Sequence, residues 1–336
     1  MENKCLIENL TPLASSHSRR SVILAIFLSG LMGVGTSLAQ GAGVVNSSKN
    51  PLQVATLHWY GANQTTQFTV GTAPIGVAFD GASMWVANFG SNTVTKLQAG
   101  DGATLGTFAV GINPVGLAFD GANIWVANSF DNTVTKLRAS DGTSLATLNV
   151  GNDPVGLAFD GANIWVAIAH GNNVAKIRAS DDTVLGTFAV GMSPEFVAFD
   201  GTNVWVTNFN SNTVTKLSLS GSILGTFAVG TNPEGIAFDG TNIWVANHGS
   251  NSVTKLSLSG STLGTFTVGT SPAGVAFDGA NIWVANRDSN TVTKLNLKGS
   301  TLDTFAVGSL PLGVAFDGAN IWVTNSSGIP GTVSKL

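Results

Sequence analysis

The sequence predicts an all-β fold, a seven-bladed β-propeller of four-stranded antiparallel blades, and three observations support this prediction. A unit of about 40 residues recurs, each unit contains four strand-like runs, and the last unit lacks a strand that the N-terminal side supplies. Charged residues make up only 10% of the chain, and glycine is abundant at 41 residues, as is typical of many short strands joined by tight turns. The unit is marked by the dipeptide Trp-Val, whose tryptophans are Trp85, Trp125, Trp165, Trp205, Trp244, Trp283 and Trp322.

Four runs in the second unit are apolar or alternating, and turn residues bound each of them. Asp120-Gly121 separates the first two runs and Asp141-Gly142 the last two, which is the expected signal of a β-hairpin. No stretch after residue 40 is long and periodic enough to predict a helix. The predicted strands of this unit are 115–119, 123–127, 133–137 and 144–150.

The two ends of the chain predict how the ring closes. The last unit begins at Pro311 and stops at Leu336, before its fourth strand. Residues 67–71 match 107–111, which form the end of the fourth run in a complete unit. We therefore expect an N-terminal strand to complete the C-terminal blade, so that no blade is left with an unpaired edge.

Three residue types recur in every unit, and each is assigned a structural role. The tryptophans are predicted to fill the space between blades, because large flat side chains bury much area. Asp80 and its six equivalents are predicted to satisfy backbone groups in the first hairpin turn. The repeated lysines, of which Lys96 is the first, are interpreted as a solvated face or as weak partners of those aspartates.

The N-terminal region differs from the repeats and predicts export. Residues 1–39 have a polar start, an apolar run at 22–28 and small residues before a cleavage site after Ala39, as in a signal peptide. The alternative is an uncleaved membrane anchor, but the apolar run is short for spanning. We expect a flexible lead-in at 40–53, the propeller at 54–336, and a periplasmic or extracellular protein without stable membrane insertion after cleavage.

Charge and cysteine content narrow the classes of partner. The single cysteine, Cys5, lies in the predicted signal peptide, so the mature chain would have no disulfide or thiolate metal site. The formal net charge is −4, and no basic run occurs, which argues against nucleic acid as a partner. We expect a monomer that binds a protein, peptide or glycan.

The repeated unit resembles the NHL and YVTN repeat propellers, a group that includes the streptogramin (virginiamycin B) lyases. The resemblance implies the propeller fold, and for the lyases it implies a His/Glu set with a divalent ion that opens a cyclic ester by elimination. Those lyases carry an acidic residue shortly after the Trp strand, where this chain has Asn in six units and Ile168 in the third. No catalytic residue is therefore assigned. The matching residues are Pro114, Gly116, Asp120, Gly121, 124–128 and 132–137.

Departures from the repeat are the best indication of a specialised site. Each unit opens with a proline, which is Pro114 in the second unit. At the next position five units carry an apolar residue, whereas two adjacent units carry Glu195 and Glu234. Two neighbouring carboxylates facing a channel would shift each other's pKa. At the position after Glu195, where the other units have glycine, this chain has Phe196. Its side chain would either line the channel beside the glutamates or pack between blades.

The loop after the Trp strand carries the other departures. It is mostly Asn, Ser and Gly, but it contains His170 in the third unit, His248 in the fifth, and Arg287 and Asp288 in the sixth. These residues are predicted to lie on the same face as the two glutamates and to form candidate ligand-binding positions. The alternative is that they are surface residues that have drifted without a function.

Two functions are compatible with these residues. The first is a non-catalytic binding or scaffold module that uses one loop face. The second is a metal-dependent lyase of the streptogramin type, in which Glu195, Glu234 and His248 would hold a divalent cation. The lyase requires these three side chains to converge within reach of one metal ion, and the binding module does not.

Overall fold

The computed structural model describes residues 66–336, which form seven four-stranded antiparallel sheets. This confirms the seven-bladed propeller. Blade 1 contains β2 to β5, blades 2 to 6 follow in groups of four, and blade 7 contains β26, β27, β28 and β1. The strands are β1 (Thr66–Thr69), β2 (Pro74–Phe79), β3 (Ser83–Asn88), β4 (Thr93–Gln98), β5 (Thr104–Ala109), β6 (Pro114–Phe119), β7 (Asn123–Asn128), β8 (Thr133–Arg138), β9 (Ser144–Asn149), β10 (Pro154–Phe159), β11 (Asn163–Ile168), β12 (Asn173–Arg178), β13 (Thr183–Ala189), β14 (Pro194–Phe199), β15 (Asn203–Asn208), β16 (Thr213–Ser218), β17 (Ile223–Ala228), β18 (Pro233–Phe238), β19 (Asn242–Asn247), β20 (Ser252–Ser257), β21 (Thr262–Thr267), β22 (Pro272–Phe277), β23 (Asn281–Asn286), β24 (Thr291–Asn296), β25 (Thr301–Ala306), β26 (Pro311–Phe316), β27 (Ile321–Asn325) and β28 (Thr332–Lys335).

The predicted strands of the second unit agree with β6 to β9 to within one residue at each end. Two single-turn 3₁₀ helices, Ala169–Gly171 and His248–Ser250, are the only helical elements between residues 66 and 336. No helix in this range is long and apolar enough to cross a membrane. The predicted signal peptide (1–39), the lead-in (40–53) and the first residues of the predicted propeller domain lie outside the described residues.

Closure of the ring follows the predicted strand exchange. Strand β1 pairs antiparallel with β28, so that Gln67 faces Ser334 and Phe68 faces Val333. The Phe68 ring stacks on the Trp322 ring, with 5.4 Å between the centroids. The N-terminal strand therefore completes blade 7 with both backbone pairing and a buried aromatic contact.

The tryptophans pack between blades, as the repeat predicts. Trp165 of blade 3, for example, belongs to a buried cluster with Val197, Val204 and Val206 of blade 4. Every blade places its tryptophan against the next blade in this way, and the hydrophobic core is consequently a ring of interfaces rather than one centre. Burial of such aromatic surface is the main source of stability between blades.

The repeated aspartates satisfy the first hairpin turn and also hold the tryptophan. In blade 2, Asp120 Oδ1 accepts hydrogen bonds from the backbone N–H groups of Ala122 and Asn123. Its Oδ2 accepts one from Trp125 Nε1 at 2.7 Å. Burial alone would raise the pKa of Asp120, but the hydrogen bonds from Trp125 and its neighbours outweigh it and lower the pKa. The carboxylate therefore stays ionised, which confirms its structural role.

The structure corrects the interpretation of the repeated lysines as a solvated face. The alternative, a partner of the repeated aspartates, is borne out at the first of them, because Lys96 Nζ lies 3.8 Å from Asp80 Oδ2. Lys96 is only 9% exposed, and its Nζ lies 5.0 Å from the centroid of the Trp85 ring. The same ammonium donates a hydrogen bond to the backbone oxygen of Ala139 in the next blade, at 2.6 Å. In addition to its ion pair, the ammonium lies over an aromatic face and donates a hydrogen bond to the backbone of the neighbouring blade, so this lysine links two blades.

Candidate functional site

Two sets of loops form one end of the propeller, here called the loop face. They are the loops that precede the first strand of each blade and the loops between its second and third strands. In blade 1, Phe89 N–H donates to Ala73 O at 3.1 Å and Gly90 N–H donates to Thr72 O at 2.9 Å. In blade 5, His248 N–H donates to Asn232 O at 3.0 Å. The loops are thus braced against each other and form a surface with a defined shape.

A cavity of about 290 Å³ lies where the first strands of all seven blades meet around the channel. Its walls come from the second, third and fourth residues of these strands and are almost entirely aliphatic side chains and glycine. Glu195 and Glu234 contribute the only polar side chains to this lining among residues 66–336. Because both are the second residues of their strands, they stand at the loop-face end of the channel, here called the channel mouth.

The two glutamates are half-buried residues of adjacent blades, and both have strongly raised pKa values. Burial raises the pKa of Glu195 to about 8, and the charges of Glu234 and Asp153 add to this effect. Burial raises the pKa of Glu234 to about 7, with Arg287 lowering it and Asp288 raising it. Within the described part of the chain, neither carboxylate accepts a hydrogen bond. The expected mutual effect of the two carboxylates is present at Glu195, although burial is the larger cause.

The other predicted residues flank this pair on its two sides. On the Glu195 side, His170 Nδ1 lies 3.2 Å from Asp153 Oδ2. On the Glu234 side, Arg287 Nε lies 3.9 Å from Asp288 Oδ1. Asp288 Oδ2 also accepts a hydrogen bond from Ser271 Oγ at 2.6 Å. The structure therefore brings the departures of blades 3 to 6 to one side of the loop face.

His248 is placed above blade 5 rather than among the carboxylates. Its ring lies 6.3 Å from the Phe209 ring of blade 4, centroid to centroid. Its Nε2 is buried and has no hydrogen-bond partner among residues 66–336. Burial lowers the pKa of His248, the charge of Arg287 lowers it further, and Asp288 opposes them. The imidazole is consequently neutral at physiological pH.

The geometry does not gather the predicted metal ligands into a cluster. Within the described range, no group of three or more His, Cys, Asp or Glu side chains is placed to hold a metal ion. Glu195 and Glu234 are the only carboxylates in the lining of an otherwise aliphatic cavity, so a hard cation bound there would take most of its oxygen ligands from water. Binding of a divalent cation with His248 as a third ligand stays a prediction.

A local change in backbone packing accompanies the two glutamates. Phe196 packs in the core between blades 4 and 5, next to Trp205 and Ile236, and it also lines the cavity. Its N–H donates to Thr207 Oγ1 at 3.0 Å, and the Thr207 hydroxyl donates to the backbone oxygen of Glu234 at 2.8 Å. Thr207 therefore bridges the first strands of the two blades and fixes the backbone of Glu234.

Asp153 belongs to the site, but the sequence analysis did not single it out. It occupies the position before the leading proline of blade 3, in a left-handed conformation with φ of 64°. Asn113 and Asn232 stand at this position in blades 2 and 5, and Asp153 is the only acidic residue among the seven. A comparison of this column across the repeats would have identified it.

The raised pKa values predict how stability depends on pH. Each glutamate is protonated in the folded state up to about pH 7 or 8 but ionises near 4.5 when unfolded, so folding takes up protons in this window. The stability that the two residues contribute is complete below pH 4.5 and is lost as the pH rises to about 8. We expect the double variant Glu195→Gln/Glu234→Gln to be more stable than the parent at pH 9 by about 2 kcal/mol or more, since one pKa unit corresponds to about 1.4 kcal/mol.

This difference should vanish at pH 4, as measured by urea unfolding at both pH values. Asp303→Asn, which removes one carboxylate from an exposed outer strand, is the control and should show no such pH dependence. Equal stability of the double variant and the parent at pH 9 would contradict the prediction.

The fold and the site define the chain as a seven-bladed β-propeller with an acidic channel mouth. No protein-family model matches the chain, and no curated protein sequence matches it. Among solved structures, the chain is similar to a catalytically inactive variant of virginiamycin B lyase from Staphylococcus aureus with quinupristin, at 19% identity and a TM-score of 0.70 over 81% of this chain and 98% of that one. It is similar to a streptogramin B lyase, at 18% identity and a TM-score of 0.68 over 81% and 97%.

It is also similar to hydrazine synthase from Kuenenia stuttgartiensis, at 19% identity and a TM-score of 0.70 over 80% of this chain and 97% of that one. At these identities the likeness concerns the fold alone. It includes proteins with unrelated activities, as is common for propellers, so the function has to be argued from the site.

Proposed function

We propose that the protein is an exported binding module that takes up a protein, peptide or glycan at the loop face, over the channel mouth. The observation that carries this proposal is the location of the departures from the repeat. Glu195 and Glu234 of blades 4 and 5 line one cavity, and the departures of blades 3 and 6 are in loops on the same face, while the residues common to all blades hold the ring together. Export is proposed from the leader-like residues 1–39.

The physical state of the site supports binding. The loops are braced by backbone hydrogen bonds, so little conformational entropy is lost when a ligand docks on them. The channel mouth combines aliphatic walls with a few convergent polar groups, and this combination is typical of sites that bind small groups.

The test measures binding of the mature protein to panels of peptides and glycans. A loop-face variant, Glu195→Ala/Glu234→Ala/Arg287→Ala, is compared with an opposite-end variant that makes the same change of charge, Asp101→Ala/Asp181→Ala/Arg178→Ala. We expect ligands of the parent protein to bind the loop-face variant at least tenfold more weakly and to bind the opposite-end variant unchanged. Loss of binding in the opposite-end variant alone would overturn the proposal.

A second candidate is a lyase of the streptogramin type, favoured by the likeness in fold to the virginiamycin B and streptogramin B lyases. It is tested by incubating the protein with quinupristin and divalent cations. Elimination would open the ester without a change in mass and would leave a carboxylic acid and a new carbon–carbon double bond. A chromatographically shifted product of equal mass, absent with Glu234→Ala, would favour the lyase, and intact quinupristin would count against it.

A further inference from the structure

The channel mouth combines two acidic side chains with an otherwise apolar lining. Its volume of about 290 Å³ is at the lower end of the range for small-molecule sites, which is about 300–1,000 Å³. The aliphatic side chains of the walls offer no hydrogen bonds to a polar ligand. Among the side chains that line the cavity, only those of Glu195 and Glu234 can therefore make directed polar contacts.

These carboxylates make no hydrogen bond that stabilises the described part of the fold. The repeated aspartates, such as Asp200, accept bonds from a tryptophan and from backbone N–H groups, whereas neither glutamate accepts a bond within residues 66–336. The surrounding charge is also mostly negative, because Asp153 lies near Glu195 and Asp288 near Glu234. Among residues 66–336, Arg287 is the one full positive charge beside the pair. Once ionised, two half-buried carboxylates without hydrogen-bond donors are stabilised by a cation.

We propose that the channel mouth binds an alkylammonium group, with the ammonium between Glu195 and Glu234 and its alkyl stem along Val155 and Phe196. The inference rests on the proposed function and names the ligand chemistry of that site. The group would belong to a free alkylamine or to the lysine side chain of a peptide.

An alkylammonium fits better than other cations or a sugar. An ammonium is compact and has three donors, which two carboxylates can accept, and its stem can lie against aliphatic walls. A hard metal ion would find only two carboxylates among the side chains of this cavity, would take most of its other ligands from water, and would gain nothing from the aliphatic walls. A sugar presents several hydroxyl groups, and the aliphatic wall would leave most of them without partners.

The affinity must depend on pH, and the direction follows from the groups that face the pair. As the pH rises from 6 to 9, Glu195 and Glu234 ionise and attract the ammonium more strongly. Asp153 and Asp288 add negative charge, while Arg287 opposes them. His248, whose pKa is lowered by burial, adds little positive charge in this range, and His170 Nδ1 lies 3.2 Å from Asp153 Oδ2. Binding of the cation lowers the pKa of the glutamates, so uptake of the ligand releases protons.

The experiment is calorimetry with the mature protein and two matched pairs of probes. The first pair is n-pentylamine and 1-pentanol, and the second is Nα-acetyl-lysine N-methylamide and its norleucine analogue. At pH 8.5 we expect one amine to bind per protein, with each neutral analogue at least tenfold weaker. The pair that binds more tightly identifies the source, a free amine or a lysine side chain. At pH 6 the amine should bind at least tenfold more weakly.

Glutamine variants separate the glutamates from their neighbours. Glu195→Gln and Glu234→Gln should each weaken amine binding at least tenfold and reduce its pH dependence, since only one of the two glutamates would still ionise. Asp303→Asn, with the same change of charge far from the channel, should bind like the parent protein. Equal binding of amine and alcohol, or parent-like binding by both glutamine variants, would overturn the inference. If peptides or glycans still bind the loop face in that case, the proposed function stands without it.

Discussion

Removal of β1 is expected to abolish the stable monomeric propeller. In a protein that begins at Thr72, β28 is an unpaired edge strand. The core cluster that contains Trp322 also lacks the side chains of Phe68 and Val70. Loss of the Phe68 side chain alone should lower the free energy of unfolding by about 3 kcal/mol, and the loss of strand pairing should lower it further. The open edge also offers its backbone groups to other molecules, so aggregation should accompany the loss of stability.

The measurement is thermal unfolding together with size-exclusion chromatography. The control begins at residue 54, the predicted start of the propeller, and should remain monomeric with an unchanged melting temperature. A synthetic peptide of residues 62–71 should restore solubility to the shortened protein, because it can pair with β28. A monomeric, soluble protein that begins at Thr72 and melts like the control would show that closure does not depend on β1.

Substitution of Gly116 by alanine is expected to destabilise the inner ring by about 3 kcal/mol or more. A Cβ at this position would lie 2.2 Å from the backbone oxygen of Val155 in the next blade, and a backbone oxygen cannot move aside as a flexible side chain can. The first strands of blades 2 and 3 would have to separate. Since the ring is closed, separation of these two blades would also shift the other blades and loosen their interfaces.

Gly100→Ala is the matched control, because its added Cβ would meet only the Gln98 side chain, at 3.9 Å. Urea unfolding of the two variants measures the difference. A free energy of unfolding for Gly116→Ala within about 0.5 kcal/mol of the parent value would contradict the prediction, since that is the usual range for a surface substitution. Blade 4 carries Phe196 at the equivalent position, where the Thr207 hydroxyl bridges the neighbouring strands.

Much of the candidate site could be located from departures in the repeat. Glu195 and Glu234 were found because they break an otherwise apolar column, and the structure places both at one cavity. His170 contacts Asp153, whose charge acts on Glu195, and the charges of Arg287 and Asp288 act on Glu234. Only distances between side chains could show that His248 is packed against Phe209, because the loop sequence does not fix the direction of its ring.

The repeat alone determined the number of blades, the four strands in each and the closure of the ring. It could do so because strand pairing and the packing of Trp165 and its equivalents are local or between neighbouring units, so one unit predicts the next. The tertiary structure decided the role of Lys96 and the ionisation of Glu195. Both depend on what the next blade places around a side chain and how much water it excludes. Those properties arise only when all seven units surround a common channel.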